Sequence, residues 1–163
     1  MNKFLTVLAV LISSSALAAS ADTSYVTSDA KTKTATLMVN ASQGAAGGGL
    51  NFNGVQRGAK SFTVPAGWNV VVKFKNLGMM GHSAIVTKGK TPPNAITAAV
   101  AAFPNAYTPK LAEGLAMNAT AEFKFAAKAA GDYNIVCGVP GHNLGGQWLG
   151  LVVSSSAKAA TYK

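Results

Sequence analysis

The stretch GDYNIVCGVPGHNLGGQWLGLVV, residues 131–153, holds two alternating runs joined by a Gly/Pro-rich corner. Tyr133, Ile135 and Cys137 share one face of the first run, and Gln147, Leu149, Leu151 and Val153 share one face of the second. A period of two is the signature of a strand with one buried face. Pro140-Gly141 turns the chain between the two runs. This strand–loop–strand corner carries the lone cysteine of the chain and one of its two histidines, His142. Cys137 ends one inward face, Gln147 begins the next, and His142 stands on the loop between them.

The same rhythm extends upstream. Short strands are expected at Thr36–Val39, around Leu50 and Phe52, at Lys60–Pro65, Trp68–Lys75, Gly81–Val86 and Thr120–Phe125. Trp68, Val70, Val72 and Phe74 fall on one side of their strand, and His82, Ala84 and Val86 on one side of theirs. Many short alternating strands between Gly/Pro turns predict an all-β fold, an antiparallel Greek-key β-sandwich. Residues 90–119 break the rhythm with Pro92, Pro93, Pro104 and Pro109, and read as an insertion of loops and a short helix within Ala95–Phe103. The expected core is Phe52, Phe62, Trp68, Val70, Val72, Phe74, Phe123, Phe125, Tyr133 and Ile135. Burial of each contributes about 1.5–3 kcal/mol, so the sandwich folds without a disulfide.

Residues 1–21 read as a secretory signal. Lys3 precedes an apolar run from Phe4 to Ile12, and Ala16-Leu17-Ala18 and Ala19-Ser20-Ala21 are both cleavage candidates. The run is far shorter than the roughly 20 residues of a membrane span, and no later stretch reads as one. Residues 22–34 are expected to be a flexible N-terminal segment, with the domain proper over 35–163. The expected location is the periplasm or the medium. Residues 1–21 carry one lysine and no acid, so their removal leaves 13 basic and five acidic side chains, a net charge of +8. The basic residues form no block and are not interleaved with aromatics, which argues against nucleic acid and for steering toward an acidic partner. A monomer is expected.

An unpaired thiol in an exported protein is exposed to oxidation unless something occupies it. His82, on the inward face of a distant strand, can join Cys137, His142 and Gln147 at one end of the sandwich. A soft thiolate, two imidazoles and a weak fourth donor suit copper, and a trigonal His₂Cys set with a weak axial ligand is the blue-copper arrangement. Zinc fits the same ligands. Met79, Met80 and Met117 are alternative axial donors, and the Gly81 carbonyl a distant further contact. Ser83 is placed to hold the ligand loop by hydrogen bonds, and Trp148 to pack against the sheet.

Cys137-Gly138-Val139-Pro140-Gly141-His142, behind Gly131-Asp132-Tyr133, resembles the ligand loop of cupredoxins, with a Cys-x4-His-x4 spacing similar to that of rusticyanin and, more closely, sulfocyanin. Asn51-Phe52-Asn53-Gly54 and Val64-Pro65-Ala66-Gly67-Trp68 are similar to sulfocyanin-like segments. The resemblance covers most of residues 35–155. It departs at Gln147, where those families place methionine. Stellacyanin-like proteins place glutamine there, but carry a disulfide that one cysteine cannot form. The resemblance implies a type 1 copper site of His82, Cys137, His142 and axial Gln147 in a one-electron carrier. It implies an exposed His142 edge inside an apolar collar of Val139, Pro140 and Leu144, and a cytochrome or terminal oxidase as partner. The alternative is a copper-binding protein for storage, delivery or resistance. No histidine is left to build an open catalytic centre or a second one, so an enzyme is not expected.

Overall fold

The computed structural model describes residues 24–163; the expected signal sequence, residues 1–21, lies outside them. Among the described residues nine strands form two packed sheets: β1 Val26–Asp29, β2 Thr34–Ala41, β3 Ser61–Pro65, β4 Asn69–Asn76, β5 Ile85–Lys88, β6 Thr120–Ala126, β7 Gly131–Val136, β8 Trp148–Ser154 and β9 Thr161–Tyr162. One sheet runs β1-β2-β4-β6 and the other β5-β7-β8-β3-β9. Alternation decides which side chains face inward. β2 buries Ala35, Leu37, Val39 and Ala41, β4 buries Val70, Val72 and Phe74, and β8 buries Leu149, Leu151 and Val153. All ten residues expected in the core are buried.

The sandwich is all-β as expected, but its sheets are mixed. β2 pairs with β4 in parallel, as β3 does with β8. The chain leaves β2 for β3 in the opposite sheet and returns in β4, so strands separated by one excursion run the same way. Inward alternation is the same for either direction and carries no signal of it.

The segment expected to be flexible, residues 22–34, contains β1, which pairs antiparallel with β2 from Val26↔Leu37 to Asp29↔Thr34. Only Val26 of its four residues is buried, so composition gave little hint of a strand. The turn after it is closed by the Asp29 carboxylate, which accepts from the Lys31 and Thr32 N–H groups at 2.9 and 3.3 Å. Tyr25 meets Tyr162 of β9 edge-on at 5.2 Å, so both ends of the described chain close the same edge of the sandwich. Phe52 is buried, though it forms isolated bridges to Ala41 and Val55 rather than a strand.

Residues 90–119 hold one 3₁₀ turn, Ala98–Val100, in place of the expected short helix. The rest lies along the outer edge of β5 and its approach. Ala102 N–H donates to the Val86 carbonyl, Val86 N–H to Ala106, and Thr108 N–H to Ala84, at 2.8–2.9 Å. This irregular cover satisfies the backbone groups of an edge strand that would otherwise be open. It ends at His82 and Leu115, which exchange both backbone hydrogen bonds, at 3.2 and 2.7 Å. There the chain passes so closely that Gly81 and Gly114 face each other backbone to backbone, with no space for a side chain on either. His82 is thus fixed by a two-sided backbone clamp before its ring meets anything.

Candidate metal centre

The four expected donors converge at one end of the sandwich. β7 delivers Cys137 one residue past its last paired position, and the Cys137 N–H donates to the Gln147 carbonyl at 3.0 Å, extending the β7–β8 ladder to the corner. The loop between is wound on itself. His142 N–H donates to Val139, Gln147 N–H to His142 and Gly145 N–H to Gly141, at 3.0–3.1 Å. Gly141 has φ 83°, a conformation glycine adopts without a Cβ clash. The donor atoms of His82, Cys137 and His142 all lie within 4.8 Å of one another. His142 Nδ1 is 3.5 Å from the Cys137 sulfur, and the two imidazole rings are 5.0 Å apart. His82, Cys137 and Gln147 are fully buried, whereas His142 is partly exposed.

Each donor is held by partners of its own. The Ser83 N–H points at the Cys137 sulfur at 3.5 Å, while Ser83 Oγ accepts from Gly138 N–H at 2.9 Å and donates to the Leu111 carbonyl at 2.7 Å. Ser83 therefore ties the approach to β5, the insertion and the ligand loop together, as its place beside His82 led us to expect. Gln147 Nε2 donates to the Asn51 carbonyl at 3.0 Å, which turns Oε1 toward His82 Nδ1, 2.9 Å away. Met79, Met80 and Met117 are exposed, Met79 by 91%. The Gly81 backbone lies against Glu113 and Gly114, and Trp148 packs across Gly58.

The hydrogen bonds around His82 test whether a metal fits. Ser42 Oγ donates to the Gly49 carbonyl at 2.6 Å and lies 2.8 Å from His82 Nε2. A hydroxyl has one proton, so Nε2 must carry the proton it shares with Ser42. The neutral ring then has a lone pair on Nδ1, facing the lone pairs of Gln147 Oε1 at 2.9 Å. A second proton would bridge them, but burial disfavours the charged ring and pushes the His82 pKa down. A cation bound at this corner would remove the conflict, with His82 and Cys137 as its holders and the Gln147 carboxamide oxygen within reach. The donor set, one soft sulfur, two imidazoles and one amide oxygen, fits copper. Burial also pushes the Cys137 thiol pKa up, so metal loading displaces a proton.

Burial lowers the His142 pKa too. In the metal-free protein the unfolded chain takes up protons below about pH 6.5 that the folded histidines refuse. Stability is full above that pH and falls as the pH drops through it. We expect a lower urea midpoint at pH 5 than at pH 7; equal midpoints would contradict the depressed histidines. Asp29 is fully exposed, its pKa lowered by hydrogen bonds from Thr32 and Lys31, so its effect belongs to more acidic pH.

Two bracing residues were not read from the sequence. Asn51 received notice only as part of a short motif. Asn143, inside the ligand loop, donates from Nδ2 to the Pro93 and Asn94 carbonyls, both at 2.9 Å, pinning the loop to the insertion. No local pattern marks it, because its partners lie about 50 residues away. Asn143→Ala leaves those carbonyls without their donor and should cost about 1–3 kcal/mol, read as a lower urea midpoint. An unchanged midpoint would show that the clamp carries no energy.

A family model described as the sulfocyanin (SoxE) domain matches residues 20–163. The chain belongs to the sulfocyanin family. It is 33% identical over 119 residues to the sulfocyanin of Sulfolobus acidocaldarius, an alignment covering 68% of this chain. The match spans 58% of that relative's length. Among solved structures the sulfocyanin fold seen here is similar to reduced rusticyanin, at 25% identity and TM-score 0.52, over 75% of this chain and 85% of that one. It is also similar to auracyanin A of Chloroflexus aurantiacus, described as a "blue" copper protein, at 24% identity and TM-score 0.51, over 74% and 99% of the two chains. The auracyanin of Roseiflexus castenholzii shares 21% identity at TM-score 0.50, over 73% and 96%. These likenesses bear out the cupredoxin-like sandwich, and family and donor set together make copper the cofactor.

Proposed function

We propose that this sulfocyanin-family chain is a one-electron carrier with a type 1 copper site of His82, Cys137 and His142 and an axial Gln147 oxygen. One observation carries the reading: the donors are preformed and fixed by hydrogen bonds, with His142 alone reaching the surface. Copper, when bound, supplies the Cu(II)/Cu(I) couple. The protein's part is to hold the donors still, so that a change of oxidation state needs little rearrangement, and to exclude water. Cys137, Ser83 and Gly138 form one bonded unit, and Asn51 holds Gln147.

Electrons would cross at the His142 edge. Pro140 and Leu144 are exposed beside it, with Leu144 61% exposed, and form part of the expected apolar collar. Arg57, exposed, donates its N–H to the Gly146 carbonyl at 2.8 Å and lays its side chain over the ligand loop. A partner with an apolar contact and an acidic rim fits this end, and the surplus of basic residues speeds its approach. We infer export from residues 1–21, which lie outside the described residues. Among the described residues no helix is long and apolar enough to cross a membrane.

A redox titration of the copper-loaded protein tests the proposal. The colour should bleach with one electron per chain and return on reoxidation, with copper retained throughout. Release of copper to a weak chelator on reduction would favour delivery or storage over electron transfer.

A further inference from the structure

We propose that Ser42 is a positioning residue that makes His82 a ligand favouring Cu(II) over Cu(I); the inference rests on the copper reading above. Ser42 follows β2 directly, and its N–H donates to the Asn51 carbonyl at 3.0 Å. Its φ is 55°, in the left-handed region. A non-glycine residue there costs about 1–2 kcal/mol. Glycine would adopt the conformation without that cost, and the next residues are rich in glycine: Gly44, Gly47, Gly48 and Gly49. The serine places its Oγ at 2.8 Å from His82 Nε2 and 2.6 Å from the Gly49 carbonyl.

The neighbour on the other side keeps this contact open. A side chain at Gly78 would collide with Ser42 Oγ and would reach within 3.4 Å of His82 Nε2. Strain at position 42 and the missing side chain at 78 serve one contact, a chain running from Nε2–H through the hydroxyl to a backbone carbonyl. Two consequences follow. The chain fixes the tautomer, so Nδ1 always presents its lone pair to the metal. It also draws the Nε2 proton toward oxygen, which raises the electron density on Nδ1 and strengthens it as a donor. The more highly charged Cu(II) gains more from that than Cu(I).

The test uses Ser42→Gly and Ser42→Ala in the full chain. Both remove the hydroxyl. Glycine also relieves the strained backbone, whereas alanine keeps it, so a purely conformational role would separate the two variants. We expect both to lose Cu(II) affinity by 10–100-fold, the range found for outer partners of metal ligands, with a smaller loss for Cu(I). Chelator competition in each oxidation state reads the two affinities. Each tenfold difference between the losses raises the reduction potential by about 59 mV. In the diamagnetic zinc-loaded protein, the His82 Nε2–H should exchange slowly with water and become fast in both variants, by proton NMR. A blue wild type whose variants keep its Cu(II)/Cu(I) affinity ratio and its slow Nε2–H would overturn the role of Ser42 alone. A wild type with no thiolate-to-copper colour would overturn the copper reading and this inference with it.

Discussion

Cys137→Ser yields a folded protein that shows no thiolate-to-copper charge transfer. Cys137 is the lone thiol of the chain and is fully buried, so no other thiolate can supply the band. The serine hydroxyl matches the thiol in shape but is far less acidic and is a hard donor, poorly suited to Cu(I). The Ser83 N–H keeps an acceptor in the hydroxyl oxygen, which spares the fold. Affinity for Cu(I) should fall by more than the 10–100-fold typical of losing an outer hydrogen-bond partner, because a ligand itself is lost. Visible absorption of the copper-loaded variant reads the outcome. Retention of the colour would place the chromophore outside this corner.

Gln147→Met raises the reduction potential. The carboxamide is oriented by its Nε2 bond to the Asn51 carbonyl, so the atom facing His82 Nδ1 is oxygen. Oxygen is harder than a thioether and favours Cu(II). Methionine supplies a softer donor and removes one of the two donors to the Asn51 carbonyl, which keeps the Ser42 N–H, so the fold loses about 0.5–1.5 kcal/mol while the couple shifts toward Cu(I). We expect a rise of at least about 59 mV, a tenfold change in the Cu(II)/Cu(I) affinity ratio. Potentiometric titration of wild type and variant decides it. An unchanged potential with the colour intact would remove Gln147 from the coordination sphere.

Local pattern carried most of this architecture. The corner from Gly131 to Val153 was legible because its strand period, its Pro-Gly turn and its rare residue types all fall within 23 positions. The placing of Cys137, His142 and Gln147 on one corner needed nothing else, and His82 was added because the chain holds only one other histidine. What was not legible is what depends on distant partners. Ser42 is 40 residues from His82, and Asn143 about 50 from the carbonyls it pins. A serine near a Gly-rich loop and an asparagine in a turn are each common, and only tertiary packing gives them a task. β1 was hidden for a related reason: it buries one residue of four and is held by its neighbours, not by its own composition. Strand direction was lost as well, since β2 and β4 alternate identically whether parallel or not.

The proposal stands or falls on whether His82, Cys137 and His142, with Gln147 beside them, would hold copper through the Cys137 thiolate. Electron paramagnetic resonance of the Cu(II)-loaded protein, recorded with its visible spectrum, tests it most directly. A thiolate-bound copper would give an intense thiolate-to-copper band together with a small copper hyperfine splitting, because its spin would be delocalised onto the Cys137 sulfur. A colourless protein with the wide splitting of a tetragonal nitrogen–oxygen site would contradict it.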